Sequence, residues 1–149
     1  MDGIKITDAS PAHVPQLAEL EKQCFSMPWS EEQLMSQLPD ANHEFIAALD
    51  ASGRVTGYVG MMFVLDEGYI SNVAVSPEYR RHGIGDSLIA EMDSRAAEHG
   101  LSFVTLEVRE SNTPAKALYA KHGYIPVGTR KNYYESPREN AILMTKFFK

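Results

Sequence analysis

The chain is short of the residues that many chemistries and compartments require. Cys24 is its one cysteine among 149 residues, so no intrachain disulfide can form. Its place near an expected helix end suits a small packing residue better than a nucleophile. His13, His43, His82, His99 and His122 are scattered without ligand spacing, so no metal site is expected. No stretch approaches the roughly 18 to 20 apolar residues of a membrane span, and Met1-Asp2-Gly3-Ile4-Lys5 lacks the basic-then-apolar pattern of a secretory signal. The expected location is the cytoplasm, away from membranes. Cations are also in deficit: 14 Lys and Arg stand against 20 Asp and Glu, a formal net charge of −6. That balance argues against direct nucleic-acid binding, which rests on clustered Lys and Arg, yet a single basic loop can still hold a small anion.

What is present suits one domain over residues 1–149, with 44% hydrophobic residues to build a core. Ile4-Lys5-Ile6-Thr7 alternates as a short strand. Ser10 and Pro11 open a helix with Val14, Leu17, Ala18, Leu20 and Glu21. After Met27-Pro28-Trp29, the capping box of Ser30 and Gln33 predicts a second helix to about Leu38, closed by Pro39. Glu44 to Leu49 and Val55 to Val64 flank Asp50-Ala51-Ser52-Gly53, predicting an antiparallel hairpin with a turn over residues 50–53. A reversal at Asp66-Glu67-Gly68 leads into a strand from Tyr69 to Val75.

Ile84, Leu88, Ile89, Met92 and Ala96 then mark a helical stripe that Gly100 ends. Phe103 to Val108 reads as a strand covered on both faces, interrupted by Glu107. Pro114 fits the first position of a helix carrying Ala115, Leu118, Tyr119 and His122, ended by Gly123. Strands from Tyr124 to about Lys131 and from Ala141 to Phe148 complete a mixed α/β sheet with helices on both faces.

Arg80-Arg81-His82-Gly83-Ile84-Gly85 follows a hydrophobic strand and opens a helix. Glycines admit an anion close to the backbone, and the first helical amides offer free N–H groups and the positive end of the macrodipole. A pyrophosphate cradle and a plain helix-starting loop are both open from this motif alone. Glu107 is the second candidate. A carboxylate in an apolar strand costs several kcal/mol unless paired, hydrogen-bonded or solvated, so either a partner such as Arg109 satisfies it or it serves as a general base. Tyr119 lies on an apolar helix face, as a core tyrosine would, but its helix starts just after the Glu107 strand. Asn112, between them, suits a helix cap, a cofactor contact, or both.

Taken together, Asn72-Val73-Ala74-Val75, Arg80 to Gly85, Leu106-Glu107-Val108-Arg109-Glu110-Ser111-Asn112, Leu118-Tyr119 and His122-Gly123-Tyr124 resemble the GNAT N-acetyltransferases across nearly the whole chain. Cys24-Phe25-Ser26-Met27-Pro28-Trp29-Ser30, Arg130-Lys131-Asn132-Tyr133-Tyr134 and Ala141-Ile142-Leu143-Met144 resemble the RimI-type branch, which acetylates the N-terminal alanine of a ribosomal protein. The resemblance implies the GNAT fold, a mixed, mostly antiparallel sheet of about six to seven strands flanked by about four helices. It implies acetyl-coenzyme A as cosubstrate and the N-terminal peptide of a ribosomal protein as partner. Glu107 corresponds to the catalytic base and Tyr119 to the general acid. Val73, Ala74, Val75, Arg80, Arg81, His82, Gly83, Ile84, Gly85, Asp86 and Asn112 correspond to cofactor positions. Trp29, Tyr133 and Tyr134 are candidate walls of a peptide groove, while Glu135 to Asn140 departs most from the pattern and lies where a substrate loop would be.

The implied reaction is direct attack of an α-amine on the thioester through a tetrahedral intermediate, with no acetyl-cysteine. An α-amine of pKa about 7.7 to 8.0 is roughly a tenth neutral at pH 7, whereas a lysine near 10.4 is only about 0.04% neutral. One carboxylate therefore suits an N-terminal acceptor better than a lysine. Proton transfer from a tyrosine near 10 to a thiolate whose acid is near 8.5 runs uphill by roughly 2 kcal/mol. A strand amide near Val73 or Ala74 is the expected oxyanion donor. Acetylation of another N-terminus, a lysine or a small amine is the alternative within enzymes. A non-catalytic coenzyme A-binding sensor is the alternative outside them, although a sensor needs neither Glu107 nor Tyr119.

Overall fold

The computed structural model of the protein describes residues 3–38 and 41–149. Within them β1 (Lys5–Asp8), β2 (His43–Leu49), β3 (Val55–Val64) and β4 (Glu67–Val75) pair antiparallel in sequence order. β5 (Phe103–Arg109) lies parallel to β4, and β7 (Arg138–Phe147) sits antiparallel between β5 and β6 (Ile125–Glu135). The sheet order is β1-β2-β3-β4-β5-β7-β6. The four α-helices among the described residues are α1 (Val14–Cys24), α2 (Glu31–Gln37), α3 (Ile84–Glu98) and α4 (Thr113–Lys121). This is the mixed, mostly antiparallel architecture that the family resemblance implies.

The period of two along the strands divides the core between two faces. Along β2, Ile46 and Ala48 join the cluster built on Leu88, Ile89 and Met92 of α3, while Phe45 and Ala47 join Val14, Leu17 and Leu34 of α1 and α2. On the second face the buried partners of α1 and α2 come from β2, β3 and the end of β4. The same face of β5 therefore lies beyond the helical cover.

Local signals place most element ends. Ser30 Oγ accepts the Gln33 N–H at 3.2 Å and Gln33 Oε1 accepts the Ser30 N–H at 2.8 Å, completing the expected capping box. Pro39, expected to close α2, lies outside the described residues. Pro11–His13 forms a separate 3₁₀ turn, so α1 itself starts at Val14. Asp50 Oδ1 gathers the N–H groups of Ser52 and Arg54 at 2.9 and 3.0 Å to form the predicted turn.

Two expectations are corrected. β5 is not covered by helices on both faces: Val104, Leu106 and Val108 are buried, Phe103, Thr105 and Arg109 are only partly so, and the Glu107 side chain is covered by side chains from other strands instead. The segment from Glu135 to Asn140 is not a loop, because β6 runs to Glu135 and β7 begins at Arg138. Its residues close a hairpin, with backbone pairing extending past the apolar stretch that marked the strands in the sequence.

One irregularity shapes the middle of the sheet. Gly60 pairs with Asn72 and Met61 with Ile70, leaving Ser71 as an extra residue, a β-bulge in β4. The β4–β5 ladder covers Glu67–Ile70 against Phe103–Leu106 and goes no further. Beyond it Asn72 to Val75 pair only with β3, and Glu107 to Arg109 only with β7. The two parallel strands part at the bulge.

Candidate active site

Glu107 is the first residue of β5 past that parting point. Its side chain is 5% exposed and stands on the face left open by α1 and α2. Oε1 accepts the hydroxyl of Tyr69, which comes from β4. Arg130 Nε lies 2.7 Å from Oε2. That contact is ionic only, since the buried Oε2 receives no hydrogen bond.

Arg109, the partner expected from sequence, turns elsewhere. Its Nη1 donates to the Pro137 carbonyl at 2.9 Å and to Glu139 Oε1 at 3.2 Å, and its guanidinium stacks 4.3 Å from the Tyr134 ring. Glu139 Oε2 accepts the Ser111 N–H at 2.6 Å. Hydrogen bonding to Ser111, with Arg109 behind it, holds the Glu139 carboxyl below its ordinary range. Glu139 thus ties the hairpin to the end of β5.

Tyrosines gather around the carboxylate. Burial first, then the hydrogen bond to Glu107, raises the Tyr69 hydroxyl well above its usual value, with Tyr133 adding to the effect. Tyr134 is pushed up to about 12 by burial and next by the charge of Glu107. Tyr119 is 7% exposed and is raised by burial and then by Tyr134. Tyr133 and Tyr134 meet edge to face at 5.1 Å.

A second irregularity brings the last two there. Arg130 pairs with Ala141 and Tyr134 with Glu139, so Lys131, Asn132 and Tyr133 stand against Asn140 alone. Asn132 takes a left-handed φ of +53° and donates its N–H to Asn140 Oδ1 at 2.9 Å. The bulge lets adjacent residues leave the strict in-and-out alternation of a strand.

The basic loop ends at Gly83, the N-cap of α3, with φ +79° and no side-chain cap. A Cβ there would meet nothing within 4 Å, and the first-turn N–H groups have no intrahelical acceptor. This arrangement suits an anion. Gly85 has another role: a Cβ at its position would stand 3.1 Å from Leu118 Cδ2, so its smallness lets α3 approach α4. Arg81 and His82 are exposed, and Ile84 is buried in the core. Arg80 folds back, with Nε donating to the Val75 carbonyl at 3.2 Å and Nη2 lying 3.5 Å from Cys24 Sγ.

Asp86 Oδ1 lies 2.9 Å from His122 Nε2 and 3.1 Å from Lys121 Nζ. Burial would raise this carboxyl, but the two partners outweigh it and hold it below its ordinary range. Its side chain thus ties α3 to α4, leaving its first-turn backbone N–H as the group suited to an anion. Val73, Ala74 and Val75 line the β4 side of the parting strands. Asn112 caps α4, its Oδ1 accepting the Ala115 N–H at 3.2 Å. Trp29 packs with the α1–α2 cluster, and its backbone N–H donates to Glu21 Oε1 at 2.8 Å. The structure therefore brings Glu107, Tyr119, Tyr133 and Tyr134 into one neighbourhood and seats Trp29 with the helices. Tyr69 and Arg130, the two groups on the Glu107 carboxylate, went unnamed as site residues in the sequence reading. Only β-register brings them to it.

Known proteins share the sequence pattern and the fold of this chain. The acetyltransferase (GNAT) family matches over residues 14–124. The ribosomal protein bS18-alanine N-acetyltransferase of Haemophilus influenzae is 36% identical over 132 residues, covering 87% of this chain and 88% of that protein. The protein of the same name from Escherichia coli K12 is 32% identical over 141 residues, covering 93% and 94%. The crystal structure of the ribosomal-protein-S18-alanine N-acetyltransferase from Escherichia coli superposes with a TM-score of 0.90 at 29% identity, covering 98% of this chain and 94% of that one.

Proposed function

This chain belongs to the GNAT acetyltransferase family, and from that membership we propose that it acetylates the N-terminal alanine of ribosomal protein bS18, with Glu107 as base. It is an acetyl-coenzyme A-dependent N-acetyltransferase. The observation that carries the assignment of the site is the buried Glu107 carboxylate at the point where β4 and β5 part. That position puts a proton acceptor next to a gap with free strand edges, and past the gap the chain runs from Val75 of β4 into the loop that starts α3.

In this reading Val73 to Val75 hold the pantetheine arm, and the segment Arg80 to Asp86 holds the pyrophosphate through the first-turn amides and the Arg81 charge. Asn112 serves as cap and as cofactor contact. The acceptor α-amine loses its proton to Glu107, directly or through one water, as it attacks the thioester. Tyr119 faces the departing sulfur. Burial and then Tyr134 hold its hydroxyl above the ordinary value of 10.0, so full proton transfer to a thiolate whose acid is near 8.5 runs uphill. Tyr119 therefore acts as a hydrogen-bond donor to the developing charge. Tyr133 and Tyr134 border the acceptor peptide, and Trp29 supports the α1–α2 side of its groove.

The test is to incubate the purified protein with acetyl-coenzyme A and three acceptors: a peptide carrying the bS18 N-terminus with alanine first, its N-blocked form, and a free polyamine. Mass spectrometry should locate acetate on the α-amine of the open peptide alone. Modification of a lysine in the blocked peptide, or of the polyamine alone, would assign a different acceptor, and tight cofactor binding without transfer would mark a sensor.

A further inference from the structure

We propose that Arg130 occupies the place on Glu107 that the acceptor amine takes, so that guanidinium and substrate compete for one carboxylate oxygen; this rests on the reading of Glu107 as the acceptor's site. Tyr69 already donates to Oε1. Oε2 is left for the amine or its water, and it is the oxygen beside Arg130.

Three features make Arg130 a displaceable occupant. Its Nε lies 2.7 Å from Oε2, yet Oε2 receives no hydrogen bond. An ammonium carries three N–H donors on a compact centre and can direct one at the oxygen. The Arg130 side chain is 57% exposed, against 5% for Glu107, so water can solvate the guanidinium as it leaves. The same guanidinium already lies over the Tyr133 ring, its Cζ 5.7 Å from the centroid, so a cation–π contact that does not depend on Glu107 is in place.

The fold explains why this arginine reaches the site. Arg130 pairs with Ala141 of β7, and β7 lies between β6 and β5. The methyl of Ala141 leaves room for a long side chain to pass over β7 toward Glu107, two strands and roughly 10 Å away. Arg109, paired with the other side of Ala141, is held by Pro137, Glu139 and Tyr134. The fixed cation braces the hairpin while the exposed one covers the carboxylate. An acceptor has to bring its own cation to displace it, which favours a free α-ammonium over neutral amine surrogates.

Steady-state kinetics of Arg130→Ala and Arg130→Gln, with the alanine-first peptide and saturating acetyl-coenzyme A, test the competition. Arg130 is solvated on its own side of the pair, so the acceptor KM should fall by about two- to fivefold while the donor KM stays constant. Arg130→Lys, which keeps a cation, should fall less. Methylguanidinium, titrated by NMR without turnover, should bind Arg130→Ala and compete there with the peptide, and it should lose that binding in Arg130→Ala combined with Glu107→Gln. An unchanged or raised acceptor KM in both neutral variants, or equal methylguanidinium binding by the double variant, would overturn the proposal. Failure of the unaltered enzyme to acetylate the peptide's α-amine would instead overturn the acceptor assignment, leaving the titration to decide the seat on Glu107.

Discussion

Glu21 of α1 accepts the hydroxyl of Tyr58 of β3 at 2.5 Å, and both side chains are fully buried. The same carboxyl accepts Asn72 Nδ2 at 2.8 Å through Oε2 and the Trp29 N–H at 2.8 Å through Oε1. One side chain thus fastens the first helix to two strands and fixes the segment leading to α2. Its place in the helical stripe with Leu17 and Leu20 marked it as inward-facing, and these three donors explain why an acid is tolerated there. Glu21→Ala should destabilise the fold by about 3 kcal/mol, because it leaves several buried donors without an acceptor. Tyr58→Phe should cost less, about 1 kcal/mol, because two donors to Glu21 remain. Urea denaturation of the purified variants measures both.

Glu107→Gln removes the proton acceptor while preserving shape. Turnover should fall by about 10²- to 10⁴-fold, the usual contribution of a positioned general base. Affinity for acetyl-coenzyme A should change little, since the proposed cofactor contacts lie on β4, at the start of α3 and at Asn112, not at Glu107. Calorimetric titration beside initial rates separates the two quantities, and unchanged turnover would remove Glu107 from its role.

The two loop glycines should respond differently. Gly83 holds φ +79° in open space, so Gly83→Ala should cost about 1 kcal/mol of backbone strain and raise the KM for acetyl-coenzyme A. A Cβ at Gly85 would stand 3.1 Å from Leu118 Cδ2, so the larger Gly85→Val should cost about 1–3 kcal/mol by overpacking. Thermal melts and donor kinetics on both variants provide the comparison. Equal donor KM values for Gly83→Ala and the unaltered protein would count against the cradle.

Acid stability should depend on Asp50. Hydrogen bonds from Ser52 and Arg54 lower its carboxyl from 3.8 to about 2, with Tyr79 contributing less. A depressed folded value means that the stabilising effect is complete above the unfolded pKa near 3.8 and is lost as pH falls through about 2. The melting temperature of Asp50→Asn should therefore lie below that of the unaltered protein at pH 5 to 7, with the gap narrowing from pH 4 downward. A gap independent of pH would show that the charge is not what holds the turn.

Much of the fold was legible because the governing rules are short in range. The capping box of Ser30 and Gln33 spans four residues, and Gly100 and Gly123 supply the left-handed φ of +71° and +94° that ends α3 and α4. Asp50 directs its turn through neighbours two and four residues away. The two-sided reading of β5 failed for a related reason. Thr105, Glu107 and Arg109 alternate with Val104, Leu106 and Val108 in a true period of two, but Phe103 and the methyl of Thr105 made the run look uniformly apolar.

The sequence by itself determined which elements form, where the glycine loop falls, that Glu107 needs a justification, and, through extended motif resemblance, the family. Tertiary structure alone decided what surrounds that carboxylate. Tyr69 is 38 positions away in the chain, and Arg130 reaches Glu107 across an intervening strand over Ala141. The bulges at Ser71 and at Lys131 to Tyr133 set the parting of β4 from β5 and the turn of Tyr134 toward the site. A cap or turn is fixed by groups within a few residues, which a sequence displays directly. Register across a sheet is fixed by the packing of both faces at once, and the partners of Glu107 follow from that register.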